Sequence, residues 1–472
     1  MLYERIISAL NSFLYQPYIV PLFLLAAGLF FSVRSGFIQF RLFGEMFKVV
    51  NEKPKQEGSV SSFAALMVST ASRVGTGNII GVSTALCSGG PGAIFWLWVT
   101  AILGGASAFV ESTLAQIYKR KDSDGSSYGG PSYYMETALK ARWLGVIFAV
   151  IIILTYAVGY NMLASYNLQS CFEGFSFYGS RTPLIIGVIL AVLFAIIVLG
   201  GGKRLTDVTG VLVPVMGVLY IVISLAVLVI NSSNLGAMFS SIFRSAFDFK
   251  AIAGGFLGSC MMWGIKRGLY SNEAGMGSAP NAAATADVSH PAKQGLVQML
   301  SVFIDSLLIC TATAFMCLSS GVEPTADAAG AAYVQKSMEA SLGSFGPVFI
   351  AIALSLFAFT TLIGNYYYCE GCLRFILNKK PGKTFLLVFR IIATVLVLVG
   401  AVLSAGIVWD TADALQGLMV VINIPVILIL TGPAMNALRD YVSKRKAGTE
   451  SADVQFLAAE CGIKEDLEFW KD

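Results

Sequence analysis

The sequence predicts an all-α polytopic membrane protein with about eleven transmembrane helices. Of its 472 residues 56% are hydrophobic and only 13% are charged, about half the charged fraction of an ordinary soluble domain. Two apolar segments are interrupted by glycine-rich polar sequence at corresponding places in the chain. Together with the distribution of basic residues, these breaks predict one extra N-terminal helix followed by two five-helix repeats of opposite orientation, each opening with a broken helix.

The first break lies within Ser69–Gly92, which reads STASRVGTGNIIGVSTALCSGGPG. Glycine costs roughly 1 kcal/mol against alanine inside a helix. Irregular backbone at membrane depth persists only where protein or a water-filled cavity satisfies its polar groups. We therefore predict a break over residues 71–78, with a second half-helix that begins near Thr76. The N–H groups of the second half would favour an anion, and the carbonyls left by the first half would favour a cation.

The second break lies within Asn272–Ala286, NEAGMGSAPNAAATA, where Gly275-Met-Gly277 follows the pattern of Gly75-Thr-Gly77. Interrupted hydrophobic segments at equivalent places in two halves are typical of a transporter site at a repeat interface. The alternative is a pair of glycine-rich helix contacts without a ligand, because small residues are common where membrane helices pack closely.

The apolar segments that are long enough to cross a bilayer divide the chain into a connector, two repeats and a tail. The predicted spans are 16–34, 60–87 (broken), 91–118, 143–171, 183–200, 207–231, 252–284 (broken), 293–319, 345–373, 384–404 and 412–437. The predicted units are the N-terminal helix and connector 1–59, the repeats 60–231 and 232–437, and the cytoplasmic tail 438–472. We expect a short surface helix within 35–59 and a short cytosolic helix within 447–472.

Lysine and arginine fall mainly in one alternating set of the segments between spans. The positive-inside rule then places the N-terminus outside and the C-terminus in the cytoplasm of a multi-pass protein of the inner (plasma) membrane. The net charge of +4 follows from these basic segments and gives no reason to expect a nucleic-acid partner.

Three strings resemble signatures of the alanine or glycine:cation symporter family. They are Val74-Gly-Thr-Gly-Asn-Ile, Gly89-Gly-Pro-Gly-Ala-Ile-Phe-Trp96 and Ser271-Asn-Glu-Ala-Gly-Met-Gly-Ser-Ala-Pro280. The resemblance extends from about residue 60 to about residue 435. It implies the leucine-transporter fold and sodium-driven uptake of a small neutral amino acid. The sequence leaves open whether the substrate is alanine, glycine, serine or a larger amide such as glutamine. We expect a single chain to be sufficient for transport.

A sodium ion prefers oxygen ligands, as other hard cations do. The first break can supply the carbonyls of Ala71 and Val74, and the resemblance assigns Thr360 and Thr361 to the hydroxyl pair that the family uses. Two adjacent threonines in an apolar helix also fit a simpler interpretation, in which each hydroxyl bonds back to a carbonyl one turn earlier.

The carboxylate of an amino acid suits the N–H groups of Thr76 and Gly77, with Asn78 as a side-chain donor. Its ammonium group suits oxygen atoms freed at the second break, from Ser271 to Gly275.

Three further residues are candidates for the substrate pocket. Gln169, near the end of the fourth span, either reaches the substrate or caps its helix. Met276 and Phe359 either bound the pocket or belong to the ordinary core.

Ionisable residues within the spans are costly and usually functional. Glu273 lies in the second break, where it either carries a proton or pairs with Arg73, Lys266 or Arg267. Glu111 and Asp305 are further intramembrane carboxylates without an assigned partner. Asp410 and Asp413 lie near the outer end of the last predicted hairpin and fit either an outer gate or solvation.

Other classes of function have weaker support in the sequence. A channel would need a continuous polar lining, usually built by several subunits. The chain has one histidine, His290, and no HExxH or GxSxG motif, which leaves little basis for an enzyme. Cys369 and Cys372 have CxxC spacing but no second pair to complete a metal site.

Overall fold

The structure is a computed structural model that describes residues 2–16, 18–56, 59–123, 125–248 and 259–470. In this part of the chain the only paired strands form a short antiparallel hairpin, Arg120–Lys121 with Ser127–Tyr128. The helices are α1 Leu2–Tyr15, α2 Ile19–Arg34, α3 Ile38–Arg41, α4 Phe43–Val50, α5 Ser62–Arg73, α6 Val82–Gly89, α7 Gly92–Ile117, α8 Pro131–Thr137, α9 Arg142–Ser170, α10 Thr182–Val198, α11 Gly201–Ile230, α12 Leu235–Ala246, α13 Cys260–Asn272, α14 Pro280–Ala283, α15 Pro291–Ser319, α16 Ala331–Leu342, α17 Phe345–Leu377, α18 Lys383–Val402, α19 Ala405–Ile429 and α20 Thr431–Lys446.

Eight stretches of helix within the described residues are long and apolar enough to cross a membrane. They are Leu2–Arg34, α7, α9, α11, α15, α17, α18 and α19. Helix α10 is apolar but shorter, and the two broken segments are represented by α5–α6 and α13–α14. The described chain is therefore a multi-pass helical membrane protein.

Helix α7 packs between the broken segments because its contact face is built of small residues. A methyl group added at Gly104 would lie 2.9 Å from the Ala274 side chain, and one added at Gly105 would lie 2.9 Å from the Phe303 ring. Small residues let membrane helices approach closely. This face of α7 brings Glu111 against the second break.

The bounds of the last predicted span are wrong. The last span is Ala405–Ile429 instead of 412–437. A charged residue such as Asp413 suggests the end of an apolar span. The structure instead buries Asp413 within the span, beside Lys266 and Arg267. In the seventh predicted span, residues 252–258 lie outside the described part. The chain after its break forms only the single turn Pro280–Ala283. The break itself holds Gly275 and Gly277 at φ angles of 83° and 80°, which regular helix does not allow.

The short α-helix expected within 447–472 does not form in the described part of the tail, whose regular structure is limited to a 3₁₀ turn at Ser451–Asp453. Its chain runs across one end of the bundle. The Phe456 N–H donates to the Ser289 carbonyl at 3.0 Å, and the Trp470 indole N–H donates to the Gln116 carbonyl at 2.8 Å.

Segments that the charge pattern assigns to one side also meet at this end. Lys293 pairs with Glu52 at 2.6 Å, Arg445 with Glu45 at 2.5 Å and Arg374 with Asp122 at 2.6 Å. The connector after α2 contains the expected surface helix, α4.

Candidate functional site

The first break begins where α5 ends at Arg73. The Gly75 N–H donates to Asn78 Oδ1 at 2.7 Å, so the Ala71 carbonyl loses the donor that a continuous helix would supply. Val74 has a ψ angle of 83°, which is outside the helical region. The chain then re-enters helix through a π turn, Gly77–Gly81. The break is therefore shorter than predicted but lies within the predicted residues.

Thr361 faces this break from α17. A methyl group added at Gly75 would lie 2.0 Å from Thr361 Oγ1, so the hydroxyl lies directly against the glycine. Thr361 Oγ1 is buried and has no hydrogen-bond partner among the described residues. Buried polar atoms without partners are rare, and this one lies against Gly75, whose N–H no longer bonds the Ala71 carbonyl. These oxygens fit the preference of a sodium ion.

Thr360 has a different environment. Its hydroxyl donates to the Leu356 and Phe357 carbonyls, both at 3.1 Å, and lies 3.5 Å from the Met216 sulfur. The Thr360 hydroxyl therefore bonds to carbonyls one turn earlier in its own helix, which is the simpler of the two interpretations of the sequence. The structure separates two neighbouring threonines that the sequence treats alike.

The second break is held by side chains of the protein. The N–H groups of Gly275 and Gly277 donate to Glu111, at 3.4 and 3.0 Å. The Asn423 amide donates to Glu111 Oε2 at 2.8 Å and to the Gly275 carbonyl at 3.0 Å. Glu111 and Asn423 therefore satisfy the unwound backbone, as the membrane interior requires.

Asp305 joins the two breaks. Its carboxylate accepts hydrogen bonds from the Asn78 amide at 2.6 Å, and from the hydroxyls of Ser271 and Ser306, both at 2.8 Å. Asp305 lies in a π-helical segment of α15, Phe303–Cys310. In the sequence, Asp305 stands out only because carboxylates are rare within membrane spans. Nothing else in the sequence indicates that it belongs to the site.

Glu273 forms no ion pair with Arg73, Lys266 or Arg267, contrary to one of the two sequence interpretations. Its carboxylate accepts from the hydroxyls of Ser72 and Ser278, both at 2.8 Å. The two cations of α13 are engaged elsewhere, because their partner is Asp413.

Arg73 is buried at the centre of the site. One of its nitrogens donates to the Gln298 carbonyl at 3.1 Å, while Nε and Nη2 lack partners among the described residues. Its charge attracts Glu111, Glu273 and Asp305. One arginine therefore offsets three buried carboxylates without touching any of them.

A cavity of about 730 Å³ approaches the first break from the end opposite the tail, and Ile80, Asn167 and Trp409 lie in its wall. The Asn167 amide donates to Thr76 Oγ1 at 3.0 Å. The Asn167 side chain therefore lies between the cavity and Thr76 of the first break.

Tyr270 covers the break beside this cavity. A methyl group at Gly77 would lie 2.7 Å from its ring. The ring also makes edge contacts with Tyr160 and Trp409, with centroid separations of 5.0 and 5.2 Å. The glycine therefore admits an aromatic ring to the place where the sequence predicted a carboxylate.

The cavity wall is backed by a cluster of charges. Lys266 lies 2.5 Å and Arg267 3.3 Å from the Asp413 carboxylate, and the Arg267 guanidinium lies 4.2 Å from the centre of the Trp409 ring. Asp413 thus belongs to a buried cluster behind the wall, while Asp410 is exposed.

The structure brings Thr76, Asn78 and Ser271 together but spreads the other predicted pocket residues. Gln169 accepts a hydrogen bond from the Tyr178 hydroxyl at 2.7 Å. Met276 is buried, with its sulfur 3.7 Å from the Tyr160 hydroxyl. Phe359 is half-buried, and its position two residues before Thr361 turns it about 200° away around the helix.

Apolar spans around two broken helices, with a polar centre beneath an open cavity, define a membrane transporter. The fold resembles the one in the crystal structure of MhsT in complex with L-phenylalanine, which has the leucine-transporter fold. The TM-score is 0.56 at 15% identity, and the match covers 88% of this chain and 95% of that one.

Residues 1–455 match the sodium:alanine symporter family, and the chain belongs to that family. The amino-acid carrier protein AlsT of Bacillus subtilis (strain 168) is 44% identical over 449 residues, which are 95% of this chain and 94% of AlsT. The probable sodium/glutamine symporter GlnT of the same organism is also 44% identical, over 95% of this chain and 92% of GlnT. The chain is therefore a transporter and not an enzyme.

Proposed function

We propose that the protein is a secondary active transporter that couples sodium entry to the uptake of a small neutral amino acid, alanine or else glycine or serine, by alternating access. The observation that carries this proposal is the unpartnered Thr361 hydroxyl beside the first break. Membership of the sodium:alanine symporter family supports the choice of ion and substrate.

In the proposed ion site, sodium binds the carbonyls of Ala71 and Val74 and the Thr361 hydroxyl. Thr360 would join only after its hydroxyl releases the Leu356 and Phe357 carbonyls. Thr361 is therefore the principal side-chain ligand of the proposal, and Thr360 is secondary.

In the proposed substrate site, the N–H groups of Thr76 and Gly77 bind the carboxylate at the start of the π turn. Asn78 positions this backbone, because its amide bonds to both Gly75 and Asp305. Ser271, Gly275 and the negative charge of Asp305 favour the ammonium group. The Tyr270 ring has to move before the carboxylate can approach Gly77.

Three residues form the outer boundary of the proposed pocket. They are Gln169, Met276 and Phe359, each of which would reach the substrate only after a side-chain or helix movement.

Alternating access needs one end to open while the other closes. The cavity beside Trp409 and the tail across the opposite end support an arrangement that loads from the cavity side. We propose that this side is extracellular, and that the architecture is one extra helix followed by inverted repeats over residues 60–231 and 232–437.

The decisive experiment is uptake of labelled alanine by proteoliposomes that contain the purified protein. We expect a sodium gradient to drive accumulation, and choline in place of sodium to abolish it. Unlabelled glycine, serine and glutamine, each added in excess, then rank the substrates. Sodium-independent uptake, or single-channel currents in a planar bilayer, would contradict the proposal.

Glu273 supports a second candidate, proton coupling. It is buried between two hydroxyl donors and has no cationic partner among the described side chains. Proton coupling predicts uptake driven by a pH gradient in sodium-free buffer and lost in Glu273→Gln. A larger amide substrate is the other alternative, because GlnT is named a probable sodium/glutamine symporter.

A further inference from the structure

A second cavity, of about 380 Å³, lies between the end of α2 and helix α20, far from the candidate transport site. Its wall contains four basic residues, Arg34, Arg41, Arg439 and Lys446. No aspartate or glutamate belongs to its lining. This concentration of one sign of charge sets it apart from the rest of this end of the molecule.

None of these four cations forms a salt bridge with any described residue, and the one hydrogen bond recorded for them is from Arg41 to the Ser35 carbonyl, at 2.9 Å. Arg439 and Lys446 lie on α20, and another cation of this helix, Lys444, does form salt bridges. Lys444 pairs with Asp440 and Glu460, at 2.9 and 2.7 Å. Helix α20 thus has one basic face neutralised by the protein and another left without an anion.

The remaining wall of the cavity is apolar. Met435, Leu438 and Val442 lie three to four residues apart on α20 and form one stripe, and Val33 faces them from α2. Next to this wall the exposed side chains of Phe37 and Phe40 follow the end of α2. Exposed phenylalanine side chains favour the apolar part of the bilayer over water.

We propose that this cavity binds the phosphate of an anionic phospholipid headgroup, with an acyl chain along the apolar stripe. Arginine guanidinium groups bind phosphate oxygens in pairs of parallel hydrogen bonds. Basic pockets between helices on the cytoplasmic side are known sites for anionic lipid headgroups. The predicted orientation places the end of α2 and helix α20 on that side. This inference does not depend on which solute the protein transports.

Native mass spectrometry of the purified full-length protein tests the proposal, with phosphatidylglycerol and phosphatidylcholine of equal chain length offered in mixed micelles. Each cation near an anionic lipid is worth about a fivefold change in affinity. We expect selective retention of phosphatidylglycerol, and a loss of about 30-fold in Arg34→Gln/Arg439→Gln. The charge-preserving variant Arg34→Lys/Arg439→Lys should lose less than the glutamine variant, because it keeps both charges and gives up only the paired hydrogen bonds.

The matched control is Lys203→Gln/Arg204→Gln, which removes two exposed cations at the start of α11, away from this cavity. It should bind phosphatidylglycerol as the wild type does. Equal losses in the control and the cavity variant, or equal retention of the two lipids, would overturn the proposal. So would displacement of the lipid by millimolar inorganic phosphate, because free phosphate would then be the better ligand. A monodisperse elution profile for each variant ensures that folded proteins are compared.

Discussion

At the scale of single residues, the hydroxyl pair on α17 shows what sequence could and could not predict. Thr360 and Thr361 are both threonines in the same apolar stretch, so sequence alone assigns them the same role. The rotation of α17 separates them, because only Thr361 lies against Gly75. Asp305 shows the same limit. Its contact with Asn78 spans 227 residues of chain, and no local pattern predicts such a contact.

The two threonines give a matched pair of variants. Thr361→Val removes the unpartnered hydroxyl at nearly constant shape, so we expect the apparent sodium affinity of uptake to fall about tenfold or more. Thr360→Val removes only a bond to the helix backbone and should change this affinity less than about threefold. Sodium titration of alanine uptake in proteoliposomes measures both. Equal effects in the two variants would place the ion elsewhere.

Gly75 permits a second comparison. A methyl group at this position would lie 2.0 Å from Thr361 Oγ1, whereas one at Gly81 would lie 3.7 Å from its nearest neighbour, Tyr270. We expect Gly75→Ala to abolish sodium-dependent uptake and Gly81→Ala to retain most of it, at similar levels of membrane insertion. Normal uptake by Gly75→Ala would show that the hydroxyl and the break are not in contact.

At the scale of helices, glycine and asparagine predicted both breaks, because they are the residues that open a helix and satisfy its ends. The ends of a span were harder to predict where a charged residue within it is neutralised by a partner far away in the sequence. The sequence left Asp413 as an outer gate or a solvated residue, since its partners Lys266 and Arg267 precede it by more than 140 residues. The tail lacks its predicted helix because its aromatic side chains pack on other segments, as Phe469 does on Lys119, with 3.8 Å between the nitrogen and the ring centre.

The start of α15 carries a pH-dependent contact. His290 Nδ1 accepts the Ala292 N–H at 3.1 Å, and Nε2 lies 3.1 Å from Asp440. Burial lowers the pKa of His290 below its ordinary 6.5, with Lys444 and Lys293 acting in the same direction and Asp440 opposing them. The unfolded chain then takes up a proton at higher pH than the native state, so the free energy of unfolding falls as the pH drops below 6.5.

We therefore expect the melting temperature of the detergent-solubilised protein to fall between pH 7.5 and pH 5.5. His290→Asn keeps an acceptor at this helix start but cannot titrate, so its melting temperature should fall less. Melting followed by tryptophan fluorescence at several pH values measures the difference. An unchanged slope in the variant would assign the pH dependence to other groups.

At the scale of the whole molecule, composition and the distribution of basic residues were sufficient to predict a helical multi-pass protein. Both properties are summed over many residues and tolerate local error. Composition does not predict how the two halves differ in structure. The first break is followed by the two-turn helix α6, whereas the second is followed only by the single turn α14.

The predicted orientation can be tested with two exposed positions. We expect a membrane-impermeant maleimide to label Ser180→Cys on intact cells but to leave Lys379→Cys unlabelled until the membrane is opened. Both positions are exposed in the structure. The native cysteines are buried or half-buried, which limits background labelling, and the unsubstituted protein serves as the control. The opposite labelling pattern would invert the topology.

The balance of one arginine against three carboxylates also has an electrical consequence. With the protonation of these carboxylates unchanged, a sodium ion that binds together with a neutral amino acid adds one positive charge to this centre. The loaded and empty forms then cross the membrane field with different net charge. Moving one charge through 100 mV is worth about 2.3 kcal/mol, so uptake into proteoliposomes clamped with potassium and valinomycin should accelerate as the interior is made more negative.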